Sequence, residues 1–371
     1  MPPFGPSRAS SLSMPAALAE AIDQHHRPSL KLLLDRGADP EAVDSRGHTA
    51  LMRGARVDAW NCVEEILARA PRLDARSACG ETSLLVAARH GHVRSLLLIA
   101  KAHRRQEQRR ILGYAGAVLA DGAGHGADWL ASHDNSGQGV VSLAAASGSL
   151  ACLEAAVEMG ARIETSKGSG AYAVAMALTH NAIDRVAATR ALIPLLDEKL
   201  AERAVRMVCE QNSPDVFADQ DALHELLDAF PSSAATLDDE GRTPLMRALF
   251  RYWEASEGAT ARALIPSSDV WARDSKGRDC LDLAVEHASF DESVMEPLIE
   301  RLVQTAPSRE AVISALDRAE RQAHGDLALA SAALAAISPR LLSLRESSAL
   351  EAVGAPKTKA SEAVTAFRPR L

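Results

Sequence analysis

Apolar residues in this chain come in short groups set off by polar residues and glycine. Leu33-Leu34, Ala50-Leu51-Met52, Ile66-Leu67, Leu84 with Ala87-Ala88, Leu245-Met246 and Leu281 with Ala284-Val285 are clear examples. Ala and Leu supply most of the apolar positions. This pattern predicts many short helices in close contact, because Ala has the best helix propensity and lets helix axes approach. A β-sandwich would call instead for β-branched and aromatic residues.

Glycines with a polar residue three positions earlier punctuate these groups. They are Asp44-x-x-Gly47, Ser77-x-x-Gly80, Asp134-x-x-Gly137, Lys167-x-x-Gly170, Asp238-x-x-Gly241 and Asp274-x-x-Gly277. Successive separations are 33, 57, 33, 71 and 36 residues. One period of about 33 residues accounts for all of them once insertions are allowed. The first insertion, of 24 residues, falls between about Lys101 and Gly126. The residues after the glycines also recur. Gly47 leads into His48-Thr49-Ala50-Leu51-Met52, Gly80 into Glu81-Thr82-Ser83-Leu84, and Gly241 into Arg242-Thr243-Pro244-Leu245-Met246. Thr is suited to cap a helix start, and Pro fits the first helical position. Asp favours a tight turn through side-chain-to-backbone hydrogen bonds. Gly ends a helix in a left-handed conformation, as expected of Gly37 and Gly160, each ten residues before the next lattice glycine.

These stretches resemble the T-P-L-H-x-A-A-x-x-G signature of ankyrin repeats. Leu33-Leu34-x-x-Gly37-Ala38-Asp39 resembles the end of an ankyrin second helix. The resemblance covers residues 14–303. It implies an all-α, ankyrin-type α-solenoid of stacked helix-turn-helix repeats, with short hairpin-like loops and a helical C-terminal cap. About eight repeats are expected, opening near residues 14, 47, 80, 137, 170, 202, 241 and 277. The sixth is degenerate and anchored by Leu223, Leu226 and Leu227. Residues 1–13 and 354–371 read as flexible tails, and 308–353 as the cap. Met52 and Met246 stand where the signature has His, so the hydrogen bond of that His is absent there. Wider spacing in repeats five to eight implies longer helices than the family norm.

Composition narrows the chemistry. Net charge is −8 and aromatic residues make up 4% of the chain. Nucleic-acid binding asks for a basic face and stacking platforms, so nucleic acid is not expected as a direct partner. Cys62, Cys79, Cys152, Cys209 and Cys280 are scattered, with no C-x-x-C spacing, and read as small buried hydrophobes rather than a disulfide framework or zinc site. His90-x-His92 lacks further ligands for a metal. Gly122-Ala123-Gly124-His125-Gly126 lacks the Lys-Ser or Lys-Thr of a phosphate loop and reads as a return loop. No nucleophile motif appears. No catalytic residue, metal or cofactor is expected. No segment reads as a signal peptide or membrane span.

A protein partner is therefore the expectation, held by a monomeric cytoplasmic scaffold or adaptor. The surface implied by the resemblance is the concave face, built from hairpin tips and first helices. Its hairpin residues are Arg46, His48, Glu81, Gln138, Arg242, Lys276 and Arg278. Its first-helix residues are Arg56, Arg89, His90, His180, Phe250, Arg251, Glu286 and His287. Arg dominates this set, and Arg is enriched at protein interfaces because its planar fork pairs with carboxylates and stacks on aromatics. Two further functional readings stay open at this point. One is a microbial effector exported through its N-terminal tail into a host cell, and the other is an enzyme site in the C-terminal helical region. The stretch Lys101 to Arg110, with five Lys or Arg in ten residues, has two readings as well. It is either a docking element for an acidic partner or a solvated continuation of the preceding helix.

Overall fold

A computed structural model describes residues 14, 16–114, 129–163, 169–179, 184–210, 219–250, 258–286, 292–323 and 343. Their regular structure is helical, apart from an isolated bridge between His133 and Gly139 and a bridge residue at Val43. The chain divides into two units, residues 1–234 and 235–371. No helix among the described residues is long and apolar enough to cross a membrane.

The first unit holds α1 (Ala16–Asp23), α2 (Arg27–Asp35), α3 (Ala50–Arg56), α4 (Trp60–Leu67), α5 (Ser83–Arg89) and α6 (Val93–Tyr114). It continues with α7 (Val140–Ala146), α8 (Leu150–Glu158), α9 (Ser169–Thr179), α10 (Arg185–Leu192), α11 (Glu198–Glu210) and α12 (Gln220–Ala229). Each odd-numbered helix packs on the next odd one, and each even helix on the next even one. Consecutive helices from α1–α2 to α9–α10 also pack as pairs. Two parallel rows result, one of first helices and one of second helices.

Local chemistry sets the helix ends as the sequence predicts. Thr49 and Thr82 hydroxyls accept from the amides of Met52 and Leu85, both at 3.4 Å, and start α3 and α5. Gly37 and Gly160 follow α2 and α8 at φ of 90° and 85°. Between the rows lies the apolar seam. Leu51, Met52, Leu84, Leu85 and Leu143 fill it from the first helices, and Leu30, Ile66, Leu96 and Leu153 from the second, all buried. Burying a side chain of this size contributes about 1.5–3 kcal/mol. Gly54 lets α4 approach α3, because a Cβ there would stand 3.0 Å from the Val63 Cγ2.

Three expectations are corrected. Gly170 is no turn glycine; it lies in the first turn of α9, which opens at Ser169. Residues Ala171, Ala173, Val174, Ala175, Ala177 and Leu178 are buried on several sides, between α7, α10 and α11, and such an all-round apolar run is most stable as a buried helix. Helices do lengthen to 11 residues in α9 and 13 in α11. In the seventh repeat α14 does not, at 6 residues; residues 251–257, between it and α13, lie outside the described residues. Thirdly, Cys79 is exposed, whereas the other four cysteines are buried. The insertion begins as a continuation of α6, so the basic stretch is helical to its end at Arg110. Residues 115–126 of it, with the glycine-rich loop, lie outside the described residues.

The second unit holds α13 (Pro244–Phe250), α14 (Ala259–Leu264), α15 (Cys280–Glu286), α16 (Glu292–Gln304) and α17 (Arg309–Ala323). α13 pairs with α14 and packs on α15, α14 packs on α16, and α17 packs on α15 and α16. α17 thus takes the place of a first helix in a further repeat. It is the described part of the predicted C-terminal cap, of which only residue 343 is described beyond Ala323. One side chain fastens it. Asp279 and Asp282 exchange side-chain-to-amide hydrogen bonds of 3.0 and 3.1 Å at the start of α15. Arg318 of α17 donates to Asp282 at 2.8 Å and also pairs with Asp279. Burial pushes the Asp279 carboxyl above the usual range, and the Asp282 charge adds to that push.

Candidate partner-binding surface

The turns that precede the first helices share one construction. In Asp44-Ser45-Arg46-Gly47-His48, the Gly47 amide donates to the Asp44 carbonyl at 2.9 Å, and the Asp44 amide to the His48 carbonyl at 3.0 Å. The same two bonds close the turns at Ser77, Asp134, Asp238 and Asp274. The five turn glycines have φ between 72° and 79°, a region other residues enter at a cost of about 1–2 kcal/mol.

Each turn aspartate divides its two oxygens between backbone and side chain. Asp44 Oδ1 accepts the amides of Arg46 and His48, both at 2.9 Å. Asp134, Asp238 and Asp274 bind the equivalent pairs of amides at 2.8–2.9 Å. The second oxygen takes a guanidinium, supplied from three different places. Arg53 and Arg247, nine residues on, serve Asp44 at 3.3 Å and Asp238 at 2.6 Å. Arg278, four residues on, serves Asp274 at 2.8 Å. Arg89 of the preceding repeat serves Asp134 at 2.8 Å and pairs with Glu81 as well. Burial pushes the Asp238 carboxyl up. The amides of Arg242 and Glu240 and the guanidiniums of Arg247 and Arg242 outweigh it and bring the pKa down to about 2. The same opposition lowers Asp44 and Asp274.

Neighbouring tips are joined through their backbones. The Ala78 amide donates to the Arg46 carbonyl at 3.1 Å, Asn135 to Cys79 at 2.9 Å, and Ser275 to Glu240 at 2.9 Å. Rigid tips lose little freedom on binding, which favours affinity.

The predicted site residues are distributed unevenly on this framework. Arg46 and Lys276 are exposed at the tips and make no ion pair among the described residues. His48, Glu81 and Arg242, expected at the exposed face, are buried. The reason is the turn itself: the residue after the glycine closes the hairpin through its own amide and carbonyl, which draws its side chain inward. Gln138 and Arg278 are half-buried in the same position. Arg89 and Glu286 are exposed but paired, Glu286 with Arg278 at 2.6 Å. His48, Arg56, Glu81, Arg89 and His90 come together across repeats two and three. There Arg56 Nε is buried without a partner among the described residues. Burial, against the pull of Asp44, lowers the His48 pKa. His90 is exposed and stacks on His92 at 5.9 Å, and His92 in turn bonds the Ala55 carbonyl at 2.9 Å. His180, Arg251 and His287 lie outside the described residues, as does the side chain of Phe250.

Sequence reasoning named Arg46 and Lys276 but missed the other best-presented positions. Both residues between the polar residue and the glycine are exposed in all five turns: Ser45-Arg46, Ala78-Cys79, Asn135-Ser136, Asp239-Glu240 and Ser275-Lys276. Their signal was the x-x of the spacing itself.

Comparison with known families matches residues 17–110 to the model described as ankyrin repeats, in three copies. Comparison with curated proteins finds no match. The matched span runs from α1 into the basic part of α6. Beyond it, the same turns and helix rows continue the pattern.

Proposed function

We propose that this chain, whose residues 17–110 match ankyrin repeats, is a scaffold or adaptor that binds its partner through the row of turn tips and the adjoining first helices. The observation that carries this reading is the repeated presentation of two exposed residues on each pinned turn. A rigid backbone with variable exposed pairs suits recognition of one protein surface by several repeats at once. Arg46, the Ala78-Cys79 pair and the Asn135-Ser136 pair stand on three successive tips of the first unit. The adjoining helices add the histidine and arginine cluster around Arg56 and His90.

The test is affinity capture from native lysate followed by mass spectrometry, repeated with the exposed-tip variant R46E/S136R. The expected outcome is loss of the captured partner with unchanged helical content and melting. Recovery of the same partner at wild-type level overturns the assignment of this face.

A further inference from the structure

The first unit carries a second surface that the turn row does not include. α6 buries Ser95, Leu96, Ile99 and Ala100 on one side. Arg94, Leu97, Lys101, Arg104, Arg105 and Arg109 are exposed on the other. The spacing from Arg94 through Leu97, Lys101 and Arg104 is three, four and three, which places them on one helical stripe. Arg105 and Arg109 extend its edge. From Arg94 to Arg109 the stripe runs about 22 Å at 1.5 Å per residue.

These five cations differ from the arginines of the turns. None makes an ion pair among the described residues. Arg94 lies over the Trp60 ring, 5.3 Å from its centroid, and Arg104 reaches only the Met159 carbonyl at 3.5 Å. Nearby carboxylates do not cancel them. On α4, Glu64 and Glu65 are bound to Arg27. On α8, Glu154 and Glu158 are exposed, and on α6 itself Glu107 is half-buried, which leaves five cations against three carboxylates. Trp60 and Leu97, 41% and 47% exposed, form an apolar end to this basic stripe.

We propose that the exposed face of α6 is a docking surface for an acidic helical segment of a partner protein. The segment is about four turns long, which matches about 22 Å. Its carboxylates meet Lys101, Arg104, Arg105 and Arg109, and an apolar side chain seats against Leu97 and Trp60. Charge complementarity selects this occupant: the cations outnumber the carboxylates near them, lie in line and adjoin an apolar anchor. Such a surface steers encounter and weakens as salt screens it.

The surface is separate from the turn row, so each can fail without the other. The test uses the full chain and a fluorescein-labelled synthetic Glu-rich helical peptide with Leu along one face. Controls are the same peptide with Lys for Glu, duplex DNA, and phosphatidylcholine vesicles containing phosphatidylserine. Wild type is expected to bind the acidic peptide in a salt-dependent way and to ignore the Lys version. R105E/R109E is expected to lose about tenfold or more in affinity. L97S is expected to weaken binding without changing the salt dependence, and R46E/S136R to bind as wild type. Equal binding by R105E/R109E overturns the proposal. So does tighter binding to DNA or vesicles than to the peptide, or loss of peptide binding in the turn variant alone.

Discussion

Arginine does opposite things on two surfaces of the first unit. In the turn row, Arg53 and Arg89 complete the coordination of Asp44 and Asp134 and belong to the scaffold. On α6, Arg104, Arg105 and Arg109 make no ion pair among the described residues and belong to solvent. The residue type is the same. What differs is whether a pinned carboxylate oxygen waits within reach. A cation count therefore says little about where a partner binds until the internal carboxylates have been matched.

Reversing one tied arginine should break this contrast most visibly. R89E sets a third carboxylate beside Glu81 and Asp134, whose side chains are 8% and 3% exposed. A loss of about 3 kcal/mol in denaturant unfolding is expected, at the low end for a broken buried pair because Arg89 is itself 40% exposed.

Acid should act next. The folded pKa of Asp238 lies near 2, below its unfolded value of 3.8, so the unfolded chain takes up the proton first. The stabilisation is fully present above 3.8 and is lost as pH falls through about 2. Its size is about 2 kcal/mol at neutral pH by linkage. The stability gap between wild type and D238N should accordingly close toward pH 2, and a gap that stays constant counts against the coordination described.

A smaller effect separates two turns with nearly the same backbone. G80A and G277A share the left-handed strain, at φ of 79° and 78°. Only at Gly80 does a Cβ meet the next tip, 3.0 Å from the Asn135 amide nitrogen. G80A is expected to cost about 1 kcal/mol more than G277A. Equal costs would mean that the joined tips yield easily.

The smallest effect belongs to the free cations. R105E/R109E should change stability by no more than about 0.5 kcal/mol, as surface substitutions without partners do. A melting curve shifted as far as that of R89E would show that these residues are structural.

The chain's repeat lattice was legible because its turn chemistry is local. Asp44, Gly47 and Thr49 act within a few residues of one another, so their spacing writes the turn directly. Burial of His48, Glu81 and Arg242 was not legible in the same way. It comes from backbone closure across the glycine, which a roll of polar residues does not reveal. Gly170 misled because a period fixes positions but not conformations, and the apolar run after it favoured a helix instead. The pairing of Arg89 with Asp134 spans 45 residues and an insertion, so no local pattern could announce it. On α6 the basic stretch was visible, but its status as unpaired depended on knowing where every nearby carboxylate had gone.

The exposure of Cys79 has a practical consequence. Burial pushes the Cys62 and Cys152 thiols up to about 11 and about 12, and drives Cys280 higher still. Cys209 is buried as well. A thiol reagent should therefore modify the folded chain at one place, in the middle of the turn row. The native protein carries its own attachment point for a fluorophore or crosslinker, where a bound partner would shield it or be caught by it.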